Sequence, residues 1–576
     1  MNSMISHHDG TKTQRRSNLR ALVPSWLNRP LLWFFPLSFL LVLFFYPFFR
    51  ILAYSFNVST LTTDNLNFAI SVLFFTFYQA VLSTLLTLLI GLPSAYLFAR
   101  FDFPGKSLLR ALTAVPFMLP TVVVAAGFSA LLGARGWINL TLMNSFGLSA
   151  PPIQFVGTLG AILLAHVFYN TTIVTRVVGN ALYHLDPKLE QAARSLGASS
   201  RRVWWNVTLP LLRPSILAAS LLVFLFDFTS FGVILLLGGP RFSTLEVAIY
   251  TQALQFLNLP LAALLAFIQL FCTLVFSILY TRVVERSAVQ TAPRSAESNV
   301  RKAKTPNEKF FIIALCLLLF ALFILPMFAL PLRSVSRLDA DRAQLGPIQT
   351  GLTMDYYSAL FVNVRGSIFY VPPFDAALNS LLYASATIVL SLLLGFPAAS
   401  ALARPGRLEK ILDPILILPL GASAVTLGLG FIISFGRLLT VPWLVPLAHT
   451  LVALPFVIRT LQPALASIPD RLRQAAASLG ASPFRVWRNV DWPILRRATL
   501  SAATFAFTIS LGEFGATSLL TRPDDPTIPI AIYRFLSQPG GLNYGQAMAM
   551  ATILMALTTA GIFVIEKMRL PGAGEF

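Results

Sequence analysis

The chain has 576 residues, of which 56% are hydrophobic and only 11% are charged. A soluble globular domain carries about 25% charged residues, so this composition excludes a soluble enzyme and indicates an integral membrane protein. The net charge of +20 does not point to nucleic acid, because the basic residues collect in alternate loops, as topology signals do. The two cysteines, Cys272 and Cys316, both lie in apolar runs, which argues against a disulfide framework or a metal–thiolate site.

Twelve apolar stretches are long enough to cross a bilayer, which takes about 20 residues. They predict helices over 31–52, 70–98, 109–132, 154–175, 215–237, 259–281, 310–332, 376–402, 412–436, 440–458, 498–520 and 545–565. The chain therefore divides into a polar tail (1–30), a first six-span repeat (31–281), a polar linker (282–309) and a second six-span repeat (310–566). The basic tail precedes a full-length span, which is typical of a cytoplasmic tail and not of a cleavable signal.

Lysine and arginine follow a regular pattern along the chain. They concentrate in the linker 282–309 and in the loops after the second, fourth, eighth and tenth spans, whereas the loops 53–69, 133–153 and 238–258 hold at most one each. The positive-inside rule therefore predicts that both termini, the linker and these basic loops lie in the cytoplasm.

One basic loop occurs twice, 283 positions apart and without a gap, as Gln191–Ser199 and Gln474–Ser482. The same offset aligns residues in the neighbouring spans: His166 with His449, Phe231 with Phe514, and Tyr250 with Tyr533. Nearer the start of each half the offset is 304, which predicts 21 extra residues in the first half, within the loop 133–153. Because each half has six spans, both halves cross the membrane in the same direction. We expect a pseudo-two-fold axis along the membrane normal, with a route between the halves.

The repeated loop has the pattern of a short helix followed by a turn. Ala192 and Ala193 share a small apolar face at helical spacing, and Gly197 predicts a helix stop because glycine tolerates the left-handed conformation. A second short helix then leads to Pro210, which can open the next span. One such loop could rest on lipid headgroups, but two copies that match residue by residue favour a protein partner that docks twice.

The loop resembles the signature of the membrane subunits of ATP-binding-cassette (ABC) importers: Glu-Ala-Ala, three residues, Gly, nine residues, an aliphatic residue, one residue, Leu-Pro. The matching positions are Gln191, Ala192, Ala193, Gly197 and Pro210 in the first copy, and Gln474, Ala475, Ala476, Gly480 and Pro493 in the second. Both copies have Gln where the family has Glu, although Glu190 stands just before the first copy. The resemblance implies that these residues, with Glu190, dock an ATPase; the Gln weakens a specific ion pair to it.

Two such halves fused in one chain resemble the permeases of thiamine and iron(III) importers. The stretches Ile162–Asn170, Leu237–Pro240 and Thr244–Tyr250 resemble the thiamine type, and Ser510–Gly515 resembles both types. The resemblance implies an all-α integral membrane protein with 12 transmembrane helices, arranged as two parallel six-helix repeats of the type I ABC importer (MetI-like) fold.

The resemblance also implies partners and a place in the cell. It implies a permease subunit in the bacterial inner membrane, with two copies of a cytoplasmic ABC ATPase and an extracytoplasmic solute-binding protein. The cargo would be a small cationic nutrient, with thiamine favoured and iron(III) next. The other function class that we consider is an ion-coupled secondary transporter, which can also have six plus six spans in a parallel repeat.

Two acids lie inside predicted spans, Asp227 and Glu513, each in the fifth span of its half and near a Phe-Gly pair. Charges inside spans are costly and face a cavity or a partner by default. One hypothesis is that both acids, together with Phe514, line the translocation pathway for a cation. The other is that each acid is hydrogen-bonded between helices for structural reasons.

The paired histidines and tyrosines carry similar alternatives. A proton or metal role is conceivable for His166 and His449, but a hydrogen bond between helices is the favoured interpretation. Tyr250 and Tyr533 follow span five on the outer side, where they could contact a binding protein, cap a gate or serve as interfacial aromatics.

Nucleotide chemistry is not predicted within this chain. Pro104–Ser107 resembles the end of a phosphate-binding loop, but Arg100 stands where that loop needs a glycine, so we interpret the stretch as a turn. We predict no catalytic residues, no metal site and no cofactor, and the family resemblance implies that ATP is hydrolysed on a separate subunit.

Overall fold

A computed structural model describes residues 29–56, 60–287, 300–337, 351–362, 372–403, 406–436 and 441–568. Most of the predicted tail 1–30, the middle of the linker 282–309 and Arg404 lie outside the described residues. Within them the chain is almost entirely helical, and strands form only two short pairs: Phe101–Asp102 pairs with Arg301–Lys302 in parallel, and Ser336–Arg337 pairs with Gly351–Leu352 antiparallel.

The first half has thirteen described helices, numbered in chain order: α1 Arg29–Leu40, α2 Tyr46–Ser55, α3 Thr63–Arg100, α4 Lys106–Ala114, α5 Thr121–Leu132, α6 Trp137–Phe146, α7 Leu159–Tyr183, α8 Pro187–Ser195, α9 Ser200–Val203, α10 Leu209–Phe228, α11 Gly232–Leu237, α12 Leu245–Tyr250 and α13 Leu259–Ser287. A π-helical turn at Leu41–Phe45 joins α1 to α2.

The second half has thirteen described helices in a similar order, except that α16 has no described counterpart in the first half: α14 Pro306–Leu319, α15 Leu325–Ser334, α16 Asp355–Ser358, α17 Pro373–Leu402, α18 Arg407–Gly421, α19 Ala424–Phe435, α20 Leu444–Ala466, α21 Asp470–Ser478, α22 Pro483–Val486, α23 Trp492–Gly512, α24 Gly515–Leu520, α25 Ile528–Leu536 and α26 Gly541–Met568. A π-helical turn at Phe320–Ile324 joins α14 to α15, as in the first half.

Ten helical stretches of the described residues are long and apolar enough to cross a membrane: Leu32–Ser55, Thr63–Arg100, Thr121–Phe146, Leu159–Tyr183, Ser200–Phe228, Leu259–Val283, Pro306–Ser334, Pro373–Leu402, Leu444–Ala466 and Gly541–Val564. The pair Arg407–Pro419 and Ala424–Phe435, bent by 91°, makes eleven if it counts as one span. The predicted span 498–520 is divided in the structure between α23, which ends at Gly512, and α24; α23 carries Arg496 and Arg497 and is not among the ten. Length and composition alone therefore do not reach the predicted count of twelve.

The predicted span 109–132 is interrupted in the structure. Helix α4 ends at Ala114, a 3₁₀ turn covers Pro116–Met118, and α5 begins at Thr121 directly after Pro120. Proline cannot donate the backbone hydrogen bond that a continuing helix needs, and it pushes the preceding residue out of the helical region. The boundaries predicted from hydropathy alone were therefore wrong here.

The first half is longer than the second in the region where the insertion was predicted: 26 residues separate Leu132 from Leu159, against eight between Phe435 and Leu444. There the chain forms α6, whereas the described residues between Phe435 and Leu444 form no corresponding α-helix. The buried Asn139 closes this insertion: its amide donates to the carbonyls of Gly133 and Ile153 at 2.9 and 2.8 Å, and its oxygen accepts from the Ile153 amide.

The two halves interlock through their first helices. Helix α15 packs against α5, and α2 packs reciprocally against α19. Both contacts depend on glycine, because a Cβ atom added at Gly127 would lie 3.0 Å from the Pro326 carbonyl oxygen, and one at Gly430 would lie 2.9 Å from the Pro47 Cβ. Each half therefore places its opening helix on the other half, as the predicted pseudo-two-fold arrangement requires.

Candidate functional site: paired elbows and a central aromatic cluster

The two repeated loops have the same backbone. We call residues 187–210 the first elbow and residues 470–493 the second elbow. Helices α8 and α21 each end at a glycine with positive φ, 82° at Gly197 and 78° at Gly480. The next amide bonds back five residues in both elbows, from Ala198 to Ala193 and from Ala481 to Ala476, at 3.1 Å. This is a Schellman cap, and it confirms the predicted helix stop.

Beyond the glycine the elbow continues into the membrane helix. A separate second helix was predicted, but α9, a π-helical turn at Trp204–Thr208 and α10 form one uninterrupted helical stretch, Ser200–Phe228. Pro483–Val486, Trp487–Asp491 and Trp492–Gly512 repeat this arrangement. Pro210 and Pro493 lie in the first turn of α10 and α23, as expected. Each elbow is therefore connected to its half by a continuous helical stretch.

A polar contact holds each elbow in place. In the first elbow one carboxylate oxygen of Glu190 accepts from Thr208 at 2.9 Å and from Arg100 at 2.5 Å. In the second, Arg473 donates to Asp491 at 2.8 Å. Glu190, which the sequence placed on the docking surface, is thus engaged by its own chain and anchors the first elbow to the end of α3.

The outer surface of each elbow combines small apolar residues with polar and basic ones. No residue of α8 or α21 is buried. Ala192 and Ala475 are exposed, and Gln191 is exposed whereas Gln474 is half-buried. At the tips, Leu196 and Leu479 are 89% and 88% exposed, so this repeated apolar pair lies outside the folding core. Leu196 was not among the predicted docking residues, although its position just before the terminating glycine could have identified it as the tip.

Aromatic repeat mates meet at the centre of the molecule. The rings of Phe231 and Phe514 stack with centroids 5.4 Å apart and planes inclined by 26°. Tyr250 contacts Phe231 at 5.4 Å, and Tyr533 contacts Phe514 at 5.6 Å. We call these four side chains the central aromatic cluster. Phe514 was predicted to lie on the pathway; Phe231 was not, although its place 283 positions earlier could have revealed it.

Beside the cluster in the first half, His166 is the centre of a buried polar network. Its Nδ1 lies 2.9 Å from the Ser83 hydroxyl and 3.4 Å from an Asp227 oxygen, and its Nε2 lies 2.8 Å from the Ser230 hydroxyl. Asn170 donates to the same Asp227 oxygen at 2.7 Å.

The second half builds a matching network around His449. Its Nδ1 lies 2.7 Å from the Ser510 hydroxyl, and its Nε2 lies 2.8 Å from Thr517 and 3.2 Å from Glu513. Glu513 also accepts the backbone N–H groups of Ala516 and Thr517, at 2.8 and 2.9 Å, and thereby caps α24. The bonds between helices that were favoured for both histidines are therefore present, and both acids are buried within polar networks.

A third buried acid, Glu246, was not singled out from the sequence. It lies in α12 with no exposed surface, and Gln269 donates to one of its carboxylate oxygens. Ser423 of the second half donates to the other at 2.9 Å. Its place in a short stretch between two predicted spans concealed it from a search for charges inside spans.

The stretch that resembles a phosphate-binding loop forms a turn, as predicted. Gly105 has φ of 81°, and α4 begins directly after it. The Lys106 ammonium donates to the Phe101 carbonyl at 2.7 Å, and partial burial lowers the pKa of this amine.

Similarity to known proteins identifies the family of this chain. The family described as binding-protein-dependent transport system inner membrane component matches residues 87–289 and 391–568. The chain belongs to this family. Each of the two matched segments contains one elbow, so the fused chain carries the family domain twice.

Relatives share this fused permease organisation. The thiamine transport system permease protein of Brucella abortus is 30% identical over 503 residues, which cover 86% of each chain. The Escherichia coli protein with the same description is 29% identical over 511 residues, 86% of this chain and 88% of the relative. A probable ABC transporter permease protein of Sinorhizobium fredii is 27% identical over 509 residues, 86% of this chain and 87% of the relative. This permease is thus a multi-pass inner-membrane component of a binding-protein-dependent transport system.

Proposed function

We propose that this permease is the membrane subunit of an ATP-driven importer for a small cationic nutrient. The observation that carries the proposal is the pair of elbows: two loops with one backbone, each continuous with a helix that ends beside the central aromatic cluster. A secondary transporter has no need for two such elbows. In this proposal the fold is that of type I (MetI-like) importers, with α23 and the bent pair α18–α19 completing twelve membrane segments.

The partners follow from the two elbows. Each elbow docks one copy of a cytoplasmic ABC ATPase, which binds and hydrolyses the ATP, and a solute-binding protein delivers cargo on the other side. The described end of the linker supports a shared side for these parts: Arg301–Lys302 pairs with Phe101–Asp102, next to the Arg100–Glu190 contact. The positive-inside rule assigns that side, and both termini, to the cytoplasm.

Coupling in this proposal is mechanical. When the ATPases approach each other, they move the elbows, and each movement passes along a continuous helix with a rise of about 1.5 Å per residue. Helix α10 ends at Phe228 and α23 at Gly512, two or three residues before the stacked Phe231 and Phe514. Movement of both helices would separate this pair and open the route to the other side, which is alternating access.

Thiamine is the favoured cargo. The Brucella and Escherichia relatives are thiamine transport permeases by description, and acids buried near the route suit a cation. Iron(III) is the next candidate, because fused permeases of that type share the Ser510–Gly515 pattern.

The test is reconstitution of the permease in proteoliposomes with its ATPase and binding protein, using radiolabelled thiamine. We expect uptake that requires ATP, and we expect Leu196→Asp with Leu479→Asp to abolish ATPase docking and uptake. A matched control, Leu352→Asp, changes a leucine that is also 84% exposed but lies outside the elbows, and it should leave both unchanged. Full uptake without any ATPase, driven by an ion gradient, would establish the secondary-transporter alternative and refute the proposal.

A further inference from the structure

Glu246 is a buried acid whose hydrogen bonds join the two halves. Gln269, which holds one of its oxygens, belongs to its own half, whereas Ser423, at 2.9 Å from the other oxygen, is the N-cap residue of α19 in the second half. Among the described residues, the hydrogen bonds recorded for Asp227 and Glu513 come from their own halves. Of these three acids, Glu246 alone has a partner that would move away if the halves separated.

The position of Glu246 is one helical turn from the central aromatic cluster. Residues four apart in a helix share a face, so Glu246 and Tyr250 lie on the same side of α12. Tyr250 contacts Phe231, and Phe231 stacks on Phe514 of the other half. The carboxylate therefore lies at the interface between the halves, beside the aromatic contact that closes the route.

The second half shows that the fold does not need this polar contact. At an offset of 283, Glu246 corresponds to Pro529, the second residue of α25. Ser423, at the N-cap of α19, corresponds to Pro120 at the N-cap of α5. At the equivalent positions of α25 and α5, two prolines therefore replace the carboxylate of α12 and the hydroxyl of α19. Burying a carboxylate costs several kcal/mol unless it is well paired, so its presence in one half alone points to a function.

Some polar atoms near Glu246 make no hydrogen bond with the described residues while the two halves are in contact. Gln269 is 1% exposed and Thr426, one turn after Ser423, is 2% exposed. The Gln269 side-chain oxygen and the Thr426 hydroxyl have no hydrogen-bond partner within the described part of the chain. Buried polar atoms are nearly always satisfied, so these two are available to a bound molecule or to water once the interface opens.

We propose that Glu246 is the carboxylate that binds the positive charge of the cargo during its passage between the halves. The inference rests on the proposed function and names the residue that would give it charge selectivity. While the halves are in contact, the Ser423 hydroxyl donates to one carboxylate oxygen of Glu246. When the halves separate, that hydrogen bond breaks, Gln269 keeps the carboxylate oriented, and an organic cation takes the place of the Ser423 hydroxyl.

The transport test compares two variants that remove different parts of this contact. Glu246→Gln keeps the shape and removes the charge, whereas Ser423→Ala removes the bond between the halves and leaves the charge. In proteoliposomes with ATPase and binding protein, we expect Glu246→Gln to lower kcat for radiolabelled thiamine at least tenfold and Ser423→Ala to stay within threefold of the unmodified permease. Glu246→Asp, which keeps the charge, should retain more activity than Glu246→Gln.

The opposite results would overturn the inference. Equal losses in Glu246→Gln and Ser423→Ala would mean that the contact only holds the halves together. Unmodified kcat and KM in Glu246→Gln would mean that the charge has no part in transport. By contrast, absence of ATP-driven uptake by the unmodified permease would count against the proposed function and not against this inference.

A labelling test is independent of transport and of the binding protein's selectivity. Ser423→Cys, in a permease whose Cys272 and Cys316 are replaced by alanine, is reconstituted with its ATPase and treated with a cationic or a neutral methanethiosulfonate reagent in the presence of ATP and vanadate. We expect the cationic reagent to react about tenfold faster, and we expect the preference to disappear when Glu246→Gln is added. Equal rates for both reagents with Glu246 in place would overturn the inference even if Glu246→Gln failed to fold.

Discussion

The two elbows use different chemistry in the same geometry. In the first, residues 190 and 208 are joined by a Glu–Thr hydrogen bond of 2.9 Å; in the second, residues 473 and 491, at the same two positions of the repeat, are joined by an Arg–Asp pair of 2.8 Å. The charge at the first position is reversed, yet the backbone beyond it is the same. The elbow therefore requires a contact between these two positions, and either sign of charge at the first position can supply it.

In the histidine networks inside the membrane, equivalent positions of the two halves also hold different residues. Asp227 and Ser510 occupy one position of the repeat, and Ser230 and Glu513 occupy another. At these two positions each histidine therefore has one acid and one hydroxyl, but the acid is on the Nδ1 side in the first half and on the Nε2 side in the second. The networks differ in one respect: backbone N–H groups support Glu513, whereas Asp227 depends on side chains.

This difference predicts unequal effects of removing the two histidines. His166→Ala leaves Asp227 with little besides Asn170, and a buried acid left without partners should cost more than about 3 kcal/mol. His449→Ala leaves Glu513 with its backbone donors, so the cost should be closer to about 1–3 kcal/mol. The check is the midpoint of thermal unfolding in detergent, with His166→Ala/Asp227→Asn as the control that should recover part of the loss. A larger loss for His449→Ala would contradict this account of the two acids.

The elbows can be tested by converting one into the other. Glu190→Arg places a second guanidinium beside Arg100 and removes an acceptor, which should cost about 2–3 kcal/mol of stability. Adding Thr208→Asp recreates the Arg–Asp pair of the second elbow and should restore at least half of that loss. The measurement is a double-mutant cycle on the thermal midpoint, with Thr208→Asp alone as the matched control. Purely additive effects would mean that the two positions do not interact.

Local patterns in the sequence were sufficient to predict several features of this permease. Composition predicted the membrane class, the two glycines predicted the helix stops, and the changing offset located the insertion at 133–153. These features depend on residues close together in the chain, where helical periodicity and glycine conformations act directly. The break at Pro116–Pro120 was equally local, and it was missed because hydropathy does not register proline.

Contacts between distant residues could not be predicted in the same way. Glu246 and Ser423 are 177 positions apart, and neither residue lies in the repeated motif, so nothing in the pattern links them. The stack of Phe231 on Phe514 was within reach, since repeat mates near a two-fold axis tend to meet. The exposure of Leu196 depends on where the elbow points, which the spacing of apolar residues does not specify.

The elbow glycines offer a test in which the two halves should behave alike. At both Gly197 and Gly480 a Cβ atom would have open space around it, so the cost of Gly→Ala comes from the left-handed backbone alone, about 1–2 kcal/mol. We expect equal losses in thermal stability for the two substitutions. Gly160→Ala is the matched control, because Gly160 has an ordinary helical backbone with a nearest contact at 3.7 Å. Unequal losses would show that the elbows differ in backbone as well as in chemistry.

Substitutions in the central aromatic cluster should cause the smallest losses of stability, and they compare the two halves most directly. Phe231 and Phe514 each contact the other and one tyrosine, so Phe231→Leu and Phe514→Leu both remove the same ring stack, worth about 0.5–1.5 kcal/mol beyond the buried area. Equal shifts in the thermal midpoint are expected, and the double variant should lose less than the sum because the second substitution has no stack left to break. Tyr250→Phe keeps a ring at the edge of the cluster and should cause no comparable loss. If instead the two leucine variants were fully additive, the rings would be acting separately, and the contact between them could not be what keeps the halves together at the axis.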